Sequence, residues 1–158
     1  MRQESLNQLL ERGERLLRRG QSSNALETFH QALRISTRDD WQWEIAHFRL
    51  AEIQLILGDE LSAVEHLKHA AKRSGEEPKY AYMLGQILRR LGHSEEALEH
   101  LMIASGAPRF QVGAMIELAY ANADLGHRNV ARALVESVAR QSSDNPELKD
   151  ALKYTADA

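Results

Sequence analysis

Small and large apolar residues recur at fixed distances along the chain, between short polar segments that contain glycine. Four such segments, at 20–25, 58–63, 92–97 and 126–131, each begin with glycine and end with alanine. The distances between successive glycines are 38, 34 and 34 residues. A period of 34 residues is typical of a repeated helix–turn–helix unit. The pattern therefore predicts four such units in tandem.

The apolar positions around each glycine predict how the two helices of a unit pack together. A small residue lies seven positions before each glycine: Gly13, Ala51, Gly85 and Ala119. A large apolar residue lies four positions after each alanine: Phe29, Leu67, Leu101 and Val135. Small residues allow helix axes to approach closely, and a large side chain fills the space beside them. The glycine itself suits the left-handed residue that ends a helix.

These signals predict nine helices. We place them at about 3–19, 23–36, 40–57, 60–73, 78–91, 94–106, 109–125, 128–141 and 146–157. The four extra residues between the first two units fall in STRDDWQWEI, which predicts a third helix that starts a turn early, near Asp39 or Asp40. The last helix should cover the exposed end of the final unit with an apolar face of Leu148, Leu152 and Ala151.

Composition and charge agree with a helical protein and exclude several classes of function. Alanine, leucine, glutamate and arginine are plentiful, whereas valine and isoleucine are sparse, which favours helices over a sheet. Twenty basic and 23 acidic residues give a net charge of −3, which argues against a nucleic-acid partner. The absence of cysteine excludes disulfides and thiolate metal sites. We see no signal peptide and no apolar run long enough for a membrane span, and we predict a cytoplasmic protein.

The repeat resembles the tetratricopeptide repeat family. The third unit, YAYMLGQILRRLGHSEEALEHLMIASGAP, carries the family's small residue, turn glycine, helix-B alanines and terminal proline. The pattern departs from the family at Arg12, Asn122 and Val138. The resemblance implies an all-α protein, an α-α solenoid with a right-handed superhelix. It also implies one domain over 1–158, with repeats at about 5–38, 43–76, 77–110 and 111–144 and a capping helix at about 146–157.

In this family the first helices of the repeats line a concave groove that binds a partner. By register the resemblance assigns the following residues to that groove: Phe48, Arg49, Glu52, Lys79, Tyr82, Met83, Gln86, Arg89, Arg90, Ile116 and Tyr120. The same register adds Glu14, Glu117 and Asp124. Aromatic, apolar and cationic side chains in this set predict a peptide or helix with apolar side chains and some acidic character. Alternatively, residues such as Phe48 and Ile116 pack between neighbouring helices.

The family's best-known groove, the clamp for chaperone C-terminal carboxylates, is not predicted. That clamp uses lysine, asparagine and arginine at fixed groove positions. The two possible frames place other residues there: Leu10, Glu14, Arg49, Lys79 and Met83, or Phe48, Glu52, Met83, Val112 and Glu117. Glu14 or Glu52 would repel a carboxylate, so we do not expect this chain to bind chaperone tails.

The histidines are the main candidates for chemistry. His66 and His100 occupy the same position of successive repeats, each after a glutamate, and His69 follows one turn after His66. A metal site needs such ligands to converge, but positions of this kind usually face outward, so we predict no metal. The chain has no phosphate-binding loop, nucleophile elbow or HExxH motif. We therefore predict no catalytic residue, no cofactor and no enzyme.

The sequence thus predicts a non-enzymatic protein-interaction module, an adaptor, chaperone or assembly factor that binds a peptide or helical segment. A secretion-system chaperone is a narrower alternative. A different alternative is a self-assembling scaffold, in which the apolar N-terminal end pairs with a second copy through Leu9, Leu10, Leu16, Trp41 and Trp43. Methionine at residue 1 and the capping helix favour a complete chain.

Overall fold

The structure, a computed structural model, describes residues 4–75 and 77–157, and every regular element in that part of the chain is an α-helix. The prediction of an all-helical protein is confirmed there. The predicted start of the first helix near residue 3 and the predicted end of the second repeat at residue 76 lie outside the described residues. The chain divides into two compact units, Met1–Gly75 and Glu76–Ala158, called here the N-terminal and C-terminal units.

The N-terminal unit holds two helical hairpins. Its helices are α1 (Leu6–Arg18), α2 (Ser22–Ile35), α3 (Trp41–Ile56) and α4 (Glu60–Ser74). Each helix packs on the next, and α1 also contacts α3. The first helices of the two hairpins therefore lie beside each other.

The C-terminal unit holds two further hairpins and a final helix. Its helices are α5 (Pro78–Arg90), α6 (Ser94–Ser105), α7 (Gln111–Asp124), α8 (Arg128–Gln141) and α9 (Leu148–Asp157). Here α7 packs against α5 on one side and α9 on the other, while α6 and α8 pack beside them. The first helices of the hairpins and α9 thus form one row.

Except at the first helix, the predicted helix limits lie within two residues of those observed. The extra residues before the second hairpin lengthen α3, which has 16 residues and begins at Trp41. Asp40 precedes it, but its carboxylate accepts a hydrogen bond from the backbone N–H of Thr37 (2.7 Å) instead of capping the helix. The side chain of Asp40 therefore closes the loop before α3.

Glycines end the first helix of each hairpin, as predicted. Gly58 and Gly92 have φ angles of 81° and 83°, in the left-handed region that favours glycine. The next residue then donates its N–H to a carbonyl five positions earlier, as in the 2.8 Å bonds from Asp59 to Gln54 and from His93 to Leu88. These bonds satisfy carbonyls that the helix end would leave without a partner.

The predicted packing of small against large residues forms the cores. A Cβ atom on Gly13 would lie 2.6 Å from the ring of Phe29, and one on Gly85 would overlap Leu101. In the N-terminal unit, Phe29 belongs to a buried cluster with Leu9, Leu10, Ala25, Ala32, Ala46, Leu50 and Ile53. Leu9 and Leu10, predicted to form a self-association surface, are therefore buried within their own unit.

The last helix covers the end of the C-terminal unit through a narrower face than predicted. Leu148 and Ala151 are buried in a cluster with Ile116, Ala119, Val135 and Val138. Leu152, which we expected on that face, is 47% exposed. Thr155 is buried instead, and its hydroxyl donates a hydrogen bond to the carbonyl of Ala151 (2.9 Å). The buried stripe of α9 runs through Leu148, Ala151 and Thr155, and Leu152 lies outside it.

Candidate binding surface

The row of helices α5, α7 and α9 carries a connected set of polar and aromatic side chains. We call this set the tyrosine face, and it consists of Tyr82, Gln86, Arg89, Glu117, Tyr120, Asp124 and Tyr154. Most of these side chains are partly buried, and Tyr154 is exposed. Hydrogen bonds, an ion pair and ring contacts link each helix to the next. Partly buried side chains with fixed partners form an ordered surface.

Arg89 is held at the centre of this face by two carboxylates and an aromatic ring. Its Nε atom lies 2.9 Å from Oε2 of Glu117, and its NH1 atom lies 3.7 Å from Oδ2 of Asp124. Its guanidinium carbon is 4.9 Å from the ring centre of Tyr120, at the distance of a cation–π contact. The positive charge of Arg89 is therefore neutralised within the protein.

Tyr82 bridges α5 and α7. A Cβ on Gly113 would lie 2.6 Å from the Tyr82 hydroxyl, so only glycine leaves room for this contact. The hydroxyl also accepts a hydrogen bond from Nε2 of Gln86 (3.2 Å), and the ring lies 5.5 Å from that of Phe110. Burial, followed by the charges of Glu117 and Glu147, raises the pKa of Tyr82. The phenol thus stays neutral at physiological pH.

The final helix contributes Tyr154 to the face. Its ring packs edge-on against Tyr120 with centres 5.0 Å apart, and its hydroxyl donates a 2.5 Å hydrogen bond to Oδ1 of Asp124. That hydrogen bond is the main reason why the pKa of Tyr154 is raised. Sequence reasoning treated this helix only as a cap and missed Tyr154. The available signal was its position, 34 residues after Tyr120, which is one repeat period.

A pocket of about 450 Å³ lies at one end of the tyrosine face. Arg89, Asp124 and Tyr154 line it, together with Arg90 of α5 and Ser94 at the start of α6. The Ser94 hydroxyl donates to Oδ2 of Asp124 (3.2 Å). The pocket is therefore polar, and its side chains belong to the same hydrogen-bonded network as the face.

The structure brings four of the predicted groove residues together: Tyr82, Gln86, Arg89 and Tyr120. Ile116 is only 1% exposed, because it packs in the core with Val135 and Leu148, and Phe48 is 5% exposed. These two side chains are therefore buried and nearly inaccessible to a partner, as expected if they pack between neighbouring helices. The other predicted residues of α5 are partly buried or exposed: Lys79, Met83 and Arg90.

In the N-terminal unit, the predicted groove residues Arg49 and Glu52 form an ion-pair network with Glu14. Nε of Arg49 lies 2.5 Å from Oε1 of Glu14, and its NH1 lies 2.6 Å from Oε2 of Glu52. All three side chains are about one-third exposed. The charge of Arg49 is thus divided between two carboxylates, and the network ties α1 to α3.

A second cluster in the N-terminal unit consists of imidazole rings from α2, α3 and α4. The Nδ1 atoms of His47 and His66 are 2.7 Å apart, and the rings of His69 and His30 lie against this pair. The Trp43 ring packs on His47 with centres 4.1 Å apart. The sequence had suggested an outward-facing position for His66, but its ring instead contacts the buried His47.

Burial and neighbouring histidines lower the pKa of His47 to about 3, and burial and His30 lower that of His66 to about 4. Both rings are therefore neutral at physiological pH, which allows one to donate the shared hydrogen bond and the other to accept it. Within residues 4–75 and 77–157, no group of three or more histidine or acidic side chains is placed to hold a metal ion.

Comparisons with known proteins also relate the helical hairpins to tetratricopeptide repeats. The family model of the tetratricopeptide repeat matches residues 78–104, which span α5 and nearly all of α6. No curated protein sequence matches the chain. Across the helices that the structure describes, none is long and apolar enough to cross a membrane.

Several solved structures are similar over nearly the whole chain. A tetratricopeptide repeat protein from Parabacteroides merdae has a TM-score of 0.84 at 14% identity, over 95% of this chain and 58% of that one. MamA from Desulfovibrio magneticus has a TM-score of 0.80 at 18% identity, over 96% and 89% of the two chains. YrrB, described as a tetratricopeptide repeat protein with an unusual peptide-binding site, has a TM-score of 0.77 at 16% identity, over 97% and 86%. The chain thus contains a tetratricopeptide repeat and has the fold of tetratricopeptide repeat proteins.

Proposed function

We propose that the chain is a non-enzymatic protein-interaction module that binds a peptide or helical segment of a partner on the tyrosine face. The observation that carries this proposal is the arrangement of Tyr82, Tyr120 and Tyr154 on three neighbouring helices: Tyr82 packs against Gly113 of α7, and Tyr154 of α9 packs against Tyr120. Tyrosine frequently contributes much of the binding energy at interfaces. Side chains that are ordered before binding lose little conformational entropy when the partner arrives.

The similarity to YrrB supports this proposal, because YrrB is a tetratricopeptide repeat protein with a peptide-binding site. The fold alone does not specify a partner, since related folds serve many functions. An adaptor, a secretion-system chaperone and an assembly factor would differ in what they bind and could use the same surface. A cytoplasmic location belongs to the same proposal.

A displayed library of random peptides, selected on the immobilised protein, tests this function. We expect selected peptides to bind about tenfold more weakly to the variants Met83→Ala and Tyr120→Ala. Met83 is a partly buried residue of α5 that the sequence assigned to the groove, and Tyr120 lies at the centre of the tyrosine face. Met102→Ala is the matched control, because Met102 is 65% exposed on α6 and outside the face. Circular dichroism of each variant separates loss of binding from loss of folding.

Two results would count against the proposal. If selection yields no peptide that binds, the surface does not recognise peptide segments. If the selected peptides bind equally well to Met83→Ala and Tyr120→Ala, they use some other part of the chain.

A self-assembling scaffold is the second candidate, and an apolar patch favours it. Ile56, Leu57 and Leu61, at the turn between α3 and α4, are each more than half exposed. It differs from the end predicted from the sequence, in which Leu9 and Leu10 are buried but Trp41 is 55% exposed. Sedimentation of the protein and of Leu57→Ser with Leu61→Ser distinguishes the two functions. A monomer at all concentrations would exclude the scaffold, whereas an oligomer lost in the double variant would support it.

A further inference from the structure

The tyrosine face already binds one guanidinium group, that of its own Arg89. Carboxylates of Glu117 and Asp124 contact the guanidinium, and the Tyr120 ring lies beneath it. Paired carboxylates with an aromatic ring are the groups that recognise arginine and lysine side chains in proteins. The internal contact thus shows which chemistry this surface favours.

Two more carboxylates lie at the start of α9, and Asp150 is four residues before Tyr154 of the face. Glu147 precedes α9, where its carbonyl accepts a hydrogen bond from the N–H of Ala151 (3.0 Å), and Asp150 lies in the first turn. Acidic residues at a helix start stabilise the helix dipole. Their charges also reach the tyrosine hydroxyls. After burial, the charge of Asp150 is the largest cause of the raised pKa of Tyr120. Glu147 contributes to the raised pKa of both Tyr82 and Tyr120.

Negative charge dominates on the α7 and α9 side of the face. Four carboxylates lie there, Glu117, Asp124, Glu147 and Asp150, against the guanidinium of Arg89 and the two lysines of α9, Lys149 and Lys153. Among the described residues, neither Glu147 nor Asp150 has a cation within ion-pair distance, although α9 also carries Lys149 and Lys153. The other cations of this row of helices, Lys79 and Arg90, belong to α5. A bound segment would therefore meet uncompensated carboxylates beside the tyrosine rings.

We propose that the partner segment is basic, and that its arginine or lysine side chains lie against Tyr120 and Tyr154, beside the uncompensated carboxylates of Glu147 and Asp150 at the start of α9. This inference rests on the proposed function and names the chemistry of the partner. It reverses the acidic character expected from the sequence. That expectation depended on Arg49, Lys79, Arg89 and Arg90, and two of these, Arg49 and Arg89, are each already paired with two carboxylates. An acidic partner would have to displace them.

The random-peptide selection provides the first test. We expect the selected peptides to be enriched in arginine and lysine over aspartate and glutamate, relative to the unselected library. For a selected peptide, replacement of its basic residues by glutamine should weaken binding about tenfold. Added salt should also weaken the original peptide more than the neutral one, because salt screens exposed charges.

Variants of the protein provide the second test. Glu147→Gln with Asp150→Asn removes two charges from the start of α9 and should weaken binding about fivefold. Among residues 4–75 and 77–157, neither side chain forms a hydrogen bond or ion pair with another side chain, so folding should be preserved. Glu99→Gln with Glu136→Gln removes the same two charges from exposed positions on α6 and α8 and should leave the affinity within about twofold.

The outcomes separate this inference from the proposed function. Either of two results would contradict a basic partner and leave the proposal of peptide binding intact. In the first, selected peptides bind more weakly to Met83→Ala and Tyr120→Ala yet show no enrichment in basic residues. In the second, such peptides keep their affinity for Glu147→Gln with Asp150→Asn. An equal loss in the control pair would mean general attraction to an acidic protein, and would also overturn it. A selection without any binder would remove both proposals.

Discussion

Gly85 lies against Leu101 with no room for a methyl group, and Gly13 has the same relation to Phe29. The other two hairpins place alanine at this position, Ala51 and Ala119. In the last hairpin the facing residue is the smaller Val135. The second hairpin combines Ala51 with a leucine, Leu67, so the size of the facing residue does not by itself set the small residue. In the first and third hairpins the facing side chain fills the space beside the glycine, because helices pack as closely as their facing side chains permit.

Gly85→Ala should destabilise the C-terminal unit by about 1–2 kcal/mol. The added methyl overlaps Leu101, which costs about 1–3 kcal/mol, and the better helix propensity of alanine offsets up to about 1 kcal/mol. Gly85→Ala with Leu101→Val copies the pair found in the last hairpin and should recover much of the loss. Urea unfolding followed by circular dichroism measures both. A double variant no more stable than Gly85→Ala would show that overlap with Leu101 is not the cause of the loss.

The histidine cluster makes the N-terminal unit sensitive to acid. The folded pKa values of His47 and His66, about 3 and about 4, lie below the ordinary value of 6.5. Below pH 6.5 the unfolded chain therefore binds more protons than the folded one, and stability falls as the pH drops toward the folded values. Arg38 and the neighbouring histidines oppose protonation of His47, whereas Asp59 favours that of His66.

Between pH 7 and pH 5 we expect a loss of about 2 kcal/mol for each of His47 and His66. Both tryptophans of the chain lie in α3, so tryptophan fluorescence during urea unfolding reports on the N-terminal unit. His47→Gln should reduce the acid sensitivity, while His93→Gln, an exposed position in the turn before α6, should not change it. The explanation fails if His47→Gln shows the same pH dependence as the unaltered protein.

At the scale of elements, α9 both closes the core and extends the binding surface. It packs on α7 and α8, as the next first helix of a repeat would. Leu148 and Ala151 face the core, while Tyr154 continues the row of side chains begun by Tyr82 and Tyr120. One short helix thus stabilises the C-terminal unit and carries part of its proposed function.

Leu148→Ala should destabilise the C-terminal unit by about 2 kcal/mol or more, because it removes buried methyl groups from the core. Leu152→Ala, on the same helix, should cost less than about 0.5 kcal/mol, because Leu152 is largely exposed. Thermal unfolding followed by circular dichroism distinguishes the two. Equal losses of stability would instead support the prediction from the sequence, in which Leu152 belongs to the buried face of α9.

At the scale of the whole molecule, the surfaces of the two units differ in character. The N-terminal unit contains both tryptophans and the imidazole cluster, whereas all four tyrosines belong to the C-terminal unit. The tyrosine face, whose side chains are linked across α5, α7 and α9, lies entirely in the C-terminal unit. We therefore expect partner binding to stabilise the C-terminal unit more than the N-terminal unit.

A bound basic peptide should slow hydrogen exchange most strongly in α5, α7 and α9. A ligand at 100 times its dissociation constant stabilises the state that binds it by about 2.7 kcal/mol. Hydrogen exchange followed by mass spectrometry, with and without the peptide, measures this effect for each helix. Protection confined to α1–α4 would place the peptide elsewhere.

The sequence alone determined the helices, their turns and the partners in hairpin packing. Those features depend on residues close in sequence, namely the glycines in left-handed turns and the small residues opposite Phe29 and Leu101. The 34-residue period then indicated that Tyr82, Gln86, Arg89 and Tyr120 belong to one row of helices. Such features are predictable because a repeat imposes the same local contacts each time.

Only the tertiary structure decided which of these residues remain available to a partner. Ile116 and Leu152 have similar apolar side chains, yet one is buried and the other exposed, because the packing of α9 on α7 covers only a narrow stripe. Likewise, the charges of Arg49 and Arg89 meet carboxylates from neighbouring helices, 28 to 35 residues away. A charge can be read from the sequence, but whether it is neutralised depends on atoms that only folding brings within a few ångströms.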